Sequence, residues 1–412
     1  GVVLEHRCWV FEAEAMDKLG FLSPSDKQFL WLPLSHSFGK VLEMASIRIG
    51  YPTAIDGRID RIATNLEELQ PTFVAAVPRI FEKLYNKIVT KGSRNKLSYR
   101  AFRFSQNVGQ KVSAQKQQKL EPQGLLRLQN GIADLLVFRN IRAALGGRLR
   151  FFISGSAPLS ADIASFFHAA GVLILEGYGL TESSAASFVN RPDDYRFGTV
   201  GKRLPGVDFK LAEADNEILL KGKGIMRGYY KLPEVNEETL STIGEDVWLH
   251  TGDIGQVDQD GFLKIVDRKK DLIKTSGGKY VAPQKLEGKL KSMCIYISEV
   301  LVHGNTRNFC SMLITIDEES ITKWAEDAKL DNLSYKELTQ HEAVKQVIQG
   351  YVDALNESLA SYETIKKFAI LEEEFTQEGG ELTPSLKVKR KAVEQKYKHI
   401  LDGFYQGALK EM

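Results

Sequence analysis

Gly177-Tyr178-Gly179-Leu180-Thr181-Glu182-Ser183-Ser184 follows an apolar run, Val172-Leu173-Ile174-Leu175, that reads as a buried strand of a parallel sheet. A strand, a glycine-rich turn, then a hydroxyl and a carboxylate would present backbone N–H groups and hard oxygen donors to a nucleotide phosphate. A Gly-x-Gly turn is weak evidence by itself. Further along, the chain adds Leu249-His250-Thr251-Gly252-Asp253, Asp267-Arg268-Lys269-Lys270-Asp271 and Leu382-Thr383-Pro384-Ser385-Leu386-Lys387.

A chain of 412 residues exceeds one ordinary core, so two or three domains are expected. No apolar run is long enough to span a bilayer, and no signal-peptide pattern opens the chain. Cys8, Cys294 and Cys310 lack metal-ligand spacing and read as free thiols of a reducing, cytoplasmic setting. A net charge of +2 argues against a nucleic-acid partner. The charge is uneven, however: residues 83–119 contain no Asp or Glu but include Lys87, Lys91, Arg94, Lys96, Arg100, Arg103, Lys111 and Lys116. Such a segment is either a solvated helical face or a patch for anionic lipid at the inner membrane face or for ligand phosphates.

Gln28-Phe29-Leu30-Trp31-Leu32, Thr72-Phe73-Val74-Ala75-Ala76-Val77, Leu149-Arg150-Phe151-Phe152-Ile153 and the run at 172–175 read as strands alternating with helices. That predicts an α/β large-domain part with a parallel, helix-covered sheet over residues 1–197, with ligands at the carboxyl ends of its strands. Residues 198–269 carry short alternating runs and glycine turns and predict a β-rich, antiparallel subdomain. Residues 270–412 predict a small, mobile α+β domain, with strands at 300–302, 312–316 and 366–371 and helices at 341–360 and 391–403.

In order and separation, these motifs resemble the adenylate-forming, acyl-activating enzymes, and within them the long-chain fatty-acid–CoA ligases, over residues 1–405. The resemblance implies ATP, Mg²⁺ and coenzyme A, with fatty acid and CoA as substrates. A carboxylate can accept hydrogen bonds from both hydroxyls of a ribose diol, and the family pattern gives that role to Asp253, which out of context is only an acid in a turn. Gly155, Ser156 and Ala157 form a small-residue turn that lets backbone approach a flat ring. The resemblance puts adenine there, completed by Glu176, Gly177, Tyr178 and Gly179, with Tyr178 stacked on the base. It gives Thr181 the α-phosphate and Glu182 the Mg²⁺, although both also suit a helix start.

Arg268 offers a planar fork for ribose or phosphate oxygens. Ile265 and Lys274 join it in the implied cofactor-binding set, and Gly277 and Gly278 would line a phosphopantetheine channel. Lys387 stands where the family carries its catalytic lysine; the run Lys389-Arg390-Lys391 beside it otherwise reads as a solvated helix start. His36 matches a position near the acyl site, and Lys270 is the expected pivot of a mobile C-terminal domain. The family's phosphate loop would end just before Gly1, so an N-terminally truncated ligase is expected, with residues 83–145 as a long-chain-type insertion. The alternatives are a non-catalytic module that holds AMP or acyl-AMP, and an adenylating relative that delivers acyl groups to a carrier protein.

Overall fold

The computed structural model describes residues 1–92, 96–330 and 332–406. The chain forms two compact units, Gly1–Phe81 with Lys91–Val266, and Glu82–Thr90 with the chain from Asp267 onward.

In the first unit a seven-stranded sheet runs in the order Thr53–Ile55, Gln28–Leu30, Phe73–Ala76, Phe151–Ser154, Leu173–Tyr178, Phe188–Val189 and Lys202–Arg203. The first five strands are parallel, and the last two are added through antiparallel pairings. Both faces are apolar because helices cover both. Phe73 and Phe151 stack on one face at 5.9 Å between ring centroids, while Phe152 meets Phe81 edge-on at 5.1 Å on the other. The chain steps from Gln28–Leu30 out to Thr53–Ile55, then back to Phe73–Ala76 on the opposite side. That reversal opens a crevice at the carboxyl ends of the central strands.

A five-stranded antiparallel sheet follows, built around Glu217–Lys221 and the long strand Asp246–Val257. Between Phe81 and Phe151 lie the helices Lys96–Gln117 and Gly124–Ala133, a π-helical turn Asp134–Phe138, and Arg139–Ala144. Arg94 of the basic segment lies outside the described residues.

The second unit holds the sheet Ile297–His303, Cys310–Ile316, Ile365–Ile370, with Pro283–Met293 and Glu342–Asn356 on its core. The helix expected at 391–403 is two pieces, Arg390–Lys396 and Lys398–Gly403, separated by Tyr397. Arg390 is no part of a solvated helix start: its side chain is 18% exposed, donates to Glu287 Oε1 at 2.6 Å and to the Val302 carbonyl at 2.8 Å, and so belongs to the packing. All three cysteines are free and buried. No helix among the described residues is long and apolar enough to cross a membrane.

Candidate active site

Three carboxyl-end segments and one strand bulge of the first unit make up the candidate site. After Gln28–Leu30, His36 caps the helix Ser37–Ile49 through Nδ1, which accepts from the Phe38 N–H at 3.3 Å. That bond leaves the proton of a neutral ring on Nε2, and burial lowers the His36 pKa below its ordinary value. The Phe38 ring lies 3.2 Å from the point where a Cβ on Gly155 would stand, so it is packed directly on the turn after Phe151–Ser154. Ser156, next in that turn, is held at φ +71° and exposed, and Ala157 is half-buried.

Past Val172, the strand runs on to Tyr178, two residues into the glycine-rich motif, and pairs Gly177 with Val189 and Tyr178 with Phe188. Gly177-Tyr178-Gly179 is therefore a strand end and not the expected turn, because a neighbouring antiparallel strand captures it. Gly179 is fixed from inside: a Cβ there would sit 1.7 Å from the Ala185 carbonyl oxygen, where the following loop crosses back. Only a single 3₁₀ turn, Thr181–Ser183, comes next, so no α-helix begins at Thr181. Thr181 is exposed at the rim, with its hydroxyl 3.5 Å from that of Ser37. Glu182 is half-exposed and accepts from the Tyr229 hydroxyl at 2.8 Å.

Asp253 reaches this cluster through a bulge. Glu217 pairs with Ile254 but Leu219 with His250, so the long strand carries extra residues at 251–253, with Gly252 at φ +70°. Bulges re-aim side chains beside functional sites. Thr251 Oγ1 locks this one by donating to the Ile218 carbonyl at 2.8 Å and accepting from the Asp253 N–H at 3.1 Å. The Gly252 N–H donates to Glu217 Oε1 at 2.8 Å. As a result Asp253, 4% exposed, accepts from the Tyr178 hydroxyl at 2.7 Å across 75 residues of sequence.

Glu176 pairs with Ser154, at the start of the small-residue turn. Its carboxylate turns inward and accepts from the Leu159 and Gly198 N–H groups at 3.3 and 3.4 Å, bracing the loop beyond Ala157. Ile265, on the strand Leu263–Arg268, is half-buried. The second unit carries Lys274, Gly277, Gly278 and Lys387. Lys274 lies over the Tyr280 ring at 5.6 Å, and Gly277 and Gly278 form the tip of the hairpin it opens. Lys387 ends a tight turn: its N–H donates to Thr383 Oγ1 at 3.0 Å and its carbonyl accepts from the Thr383 N–H at 2.9 Å. Arg268 ends its strand, and its N–H donates to Asp267 Oδ1 at 2.7 Å. The motif reading missed Ser37, Phe38 and Tyr229, whose contacts span tens of residues and leave no local signal.

A family model described as AMP-binding enzyme matches residues 1–230, and one described as AMP-binding enzyme C-terminal domain matches residues 270–409. The chain belongs to the AMP-binding enzyme family. It is 36% identical over 385 residues to the long-chain-fatty-acid–CoA ligase FadD15 of Mycobacterium bovis, across 93% of this chain and 63% of that protein. To the human long-chain-fatty-acid–CoA ligase 1 it is 31% identical, across 98% of this chain and 59% of that one. The chain thus spans less than two thirds of the length of these relatives. In fold it is similar to the A domain of a carboxylic acid reductase from Segniliparus rugosus, solved with AMP and a co-purified carboxylic acid. The TM-score is 0.74 at 22% identity, over 98% of this chain and 59% of that one.

Proposed function

We propose that this chain is the nucleotide-binding and C-terminal part of an ATP-dependent long-chain fatty-acid–CoA ligase. The observation that carries the reading is the Tyr178–Asp253 pair at 2.7 Å, in the same unit as the Ser156 turn and the Thr181–Glu182 rim. A tyrosine that fixes a buried carboxylate leaves that carboxylate oriented to receive a diol. The flat-ring approach at Gly155–Ala157, a ribose anchor at Asp253 and a phosphate-facing hydroxyl at Thr181 then follow in nucleotide order. Identities of 36% and 31% to proteins named long-chain-fatty-acid–CoA ligase support the acyl class.

In the proposed reaction a fatty-acid carboxylate oxygen attacks the α-phosphorus of ATP and pyrophosphate leaves. The CoA thiolate then attacks the acyl carbonyl carbon, forming the thioester, and AMP leaves with the bond electrons. Glu182, half-exposed and oxygen-donating beside the Thr181 hydroxyl, fits a hard cation such as Mg²⁺. When bound, Mg²⁺ would neutralise phosphate charge. In this scheme Tyr178 orients Asp253, Asp253 holds the ribose, and His36 borders the acyl group. Arg268 and Lys387, both of the second unit, supply positive charge in this scheme. Carboxylate attack on a polyanion makes such charge the largest requirement.

Titration calorimetry with AMP tests the assignment. Asp253→Ala should lose about 1.5–3 kcal/mol of binding, the range for hydrogen bonds to a charged group. Equal affinity in the variant and the parent would remove the ribose role.

A further inference from the structure

We propose that the helical hairpin between residues 96 and 144 is a docking surface for an anionic lipid bilayer. Its second arm, Gly124–Ala133 continued by the π-turn Asp134–Phe138, is apolar on two sides. Ala133, Phe138 and Ile141 face the core, each no more than 5% exposed. On the other side Leu125 is 69% exposed, Leu128 64%, Ile132 44%, Leu135 56% and Leu136 47%. These positions recur at helical spacing, and the wider π-turn carries both Leu135 and Leu136 outward. A row of five exposed large aliphatic side chains on one helix is not scattered surface hydrophobicity.

Charge identifies what covers the row. Between residues 96 and 145 nine Lys and Arg stand against two acids, Glu121 and Asp134. Asp134 is occupied by Arg142 at 2.7 Å. Arg127 and Arg139 are exposed on the apolar arm itself, and Arg100, Arg103 and Lys111 are exposed on the first arm, Lys96–Gln117. Exposed aliphatic side chains and exposed cations on one hairpin match the apolar and anionic layers of a lipid surface at once. A second copy of the same hairpin would bring like charges together.

The test needs no turnover, so its outcome is independent of the ligase reading. The 412-residue chain is co-sedimented with vesicles of phosphatidylcholine alone and with about 30% phosphatidylserine. The parent should partition onto the anionic vesicles at least about tenfold better, and salt should release it. Leu125→Asn with Leu128→Asn, and separately Arg100→Gln with Arg103→Gln, should each weaken that binding about tenfold while the thermal midpoint stays unchanged. These side chains are exposed, so both variants should fold. Equal binding by parent and variants, or a parent that ignores phosphatidylserine, overturns the proposal. A dimer seen by sedimentation velocity that the leucine variant abolishes, with lipid binding unaltered, reassigns the row to a second copy and also overturns it.

Discussion

Glu176 turns its carboxyl group into the protein, and burial outweighs its two backbone hydrogen bonds, so its pKa rises from 4.5 to about 7. Between those values the folded chain keeps a proton that the unfolded chain has released. The group's contribution is therefore fully present below about pH 4.5 and declines as pH rises toward 7. Glu176→Gln mimics the protonated acid and cannot ionise. Urea unfolding of both proteins across that window should show the variant gaining on the parent as pH rises, by a total on the order of 3 kcal/mol. A constant gap would mean that Glu176 is ionised throughout. The braced loop leads back to Ser156, so the same comparison repeated with AMP tells whether the brace serves binding or stability alone.

Among the elements, the turn before Lys387 carries a conformation its sequence does not favour. Leu386 sits at φ +59°, and its N–H donates to the Thr383 carbonyl at 2.8 Å to close the turn. A left-handed conformation costs a non-glycine residue roughly 1–2 kcal/mol. Leu386→Gly and Leu386→Ala both remove the side chain beyond Cβ, and differ in the Cβ strain and in the smaller, opposing cost of glycine's backbone freedom. Glycine should therefore be the more stable of the two by about 1 kcal/mol in urea midpoints, the reverse of their order inside a helix. Alanine at least as stable as glycine would show that the turn relaxes.

The elements also show which features the sequence could reveal. Runs such as Phe73–Ala76 and Phe151–Ser154 were legible because a strand buried on both faces needs continuous apolar residues. The bulge at 251–253 was not, because its register is set by Glu217 and Leu219 on another strand. For the same reason Asp253 could be singled out by its motif, but its tyrosine partner could not. The glycines at 177–179 read as a turn; Gly177 instead pairs within a strand and Gly179 packs against a crossing loop, which local composition does not distinguish. Ser37 beside Thr181 and Tyr229 on Glu182 come from chain separations of 144 and 47 residues, beyond any window of periodicity.

At the scale of the whole molecule, Thr181 belongs to the first unit and Lys387 to the second. In the proposed two-step reaction, Lys387→Ala in the full-length enzyme should reduce pyrophosphate exchange about 10²-fold or more, the scale for losing a group that stabilises transition-state charge. Thioester formation from supplied acyl-AMP should be spared. Lys270 lies in the Arg268–Asp271 segment near the boundary at Val266, and Lys270→Pro fixes φ there. It should spare exchange and suppress thioester formation. If both half-reactions slowed equally in a folded Lys270→Pro protein, the pivot would not be there.

The three buried cysteines are distributed between the two units, Cys8 in the first and Cys294 and Cys310 in the second. Burial pushes the Cys294 thiol up to about 12 and the Cys310 thiol up to about 11, so neither offers a reactive thiolate near neutral pH while it stays enclosed. Alkylation must wait for the surrounding structure to open, and its rate then counts those openings. The molecule thus contains its own clocks, and peptide mass spectrometry after timed exposure to iodoacetamide would read the opening free energy of each unit separately, without any introduced label.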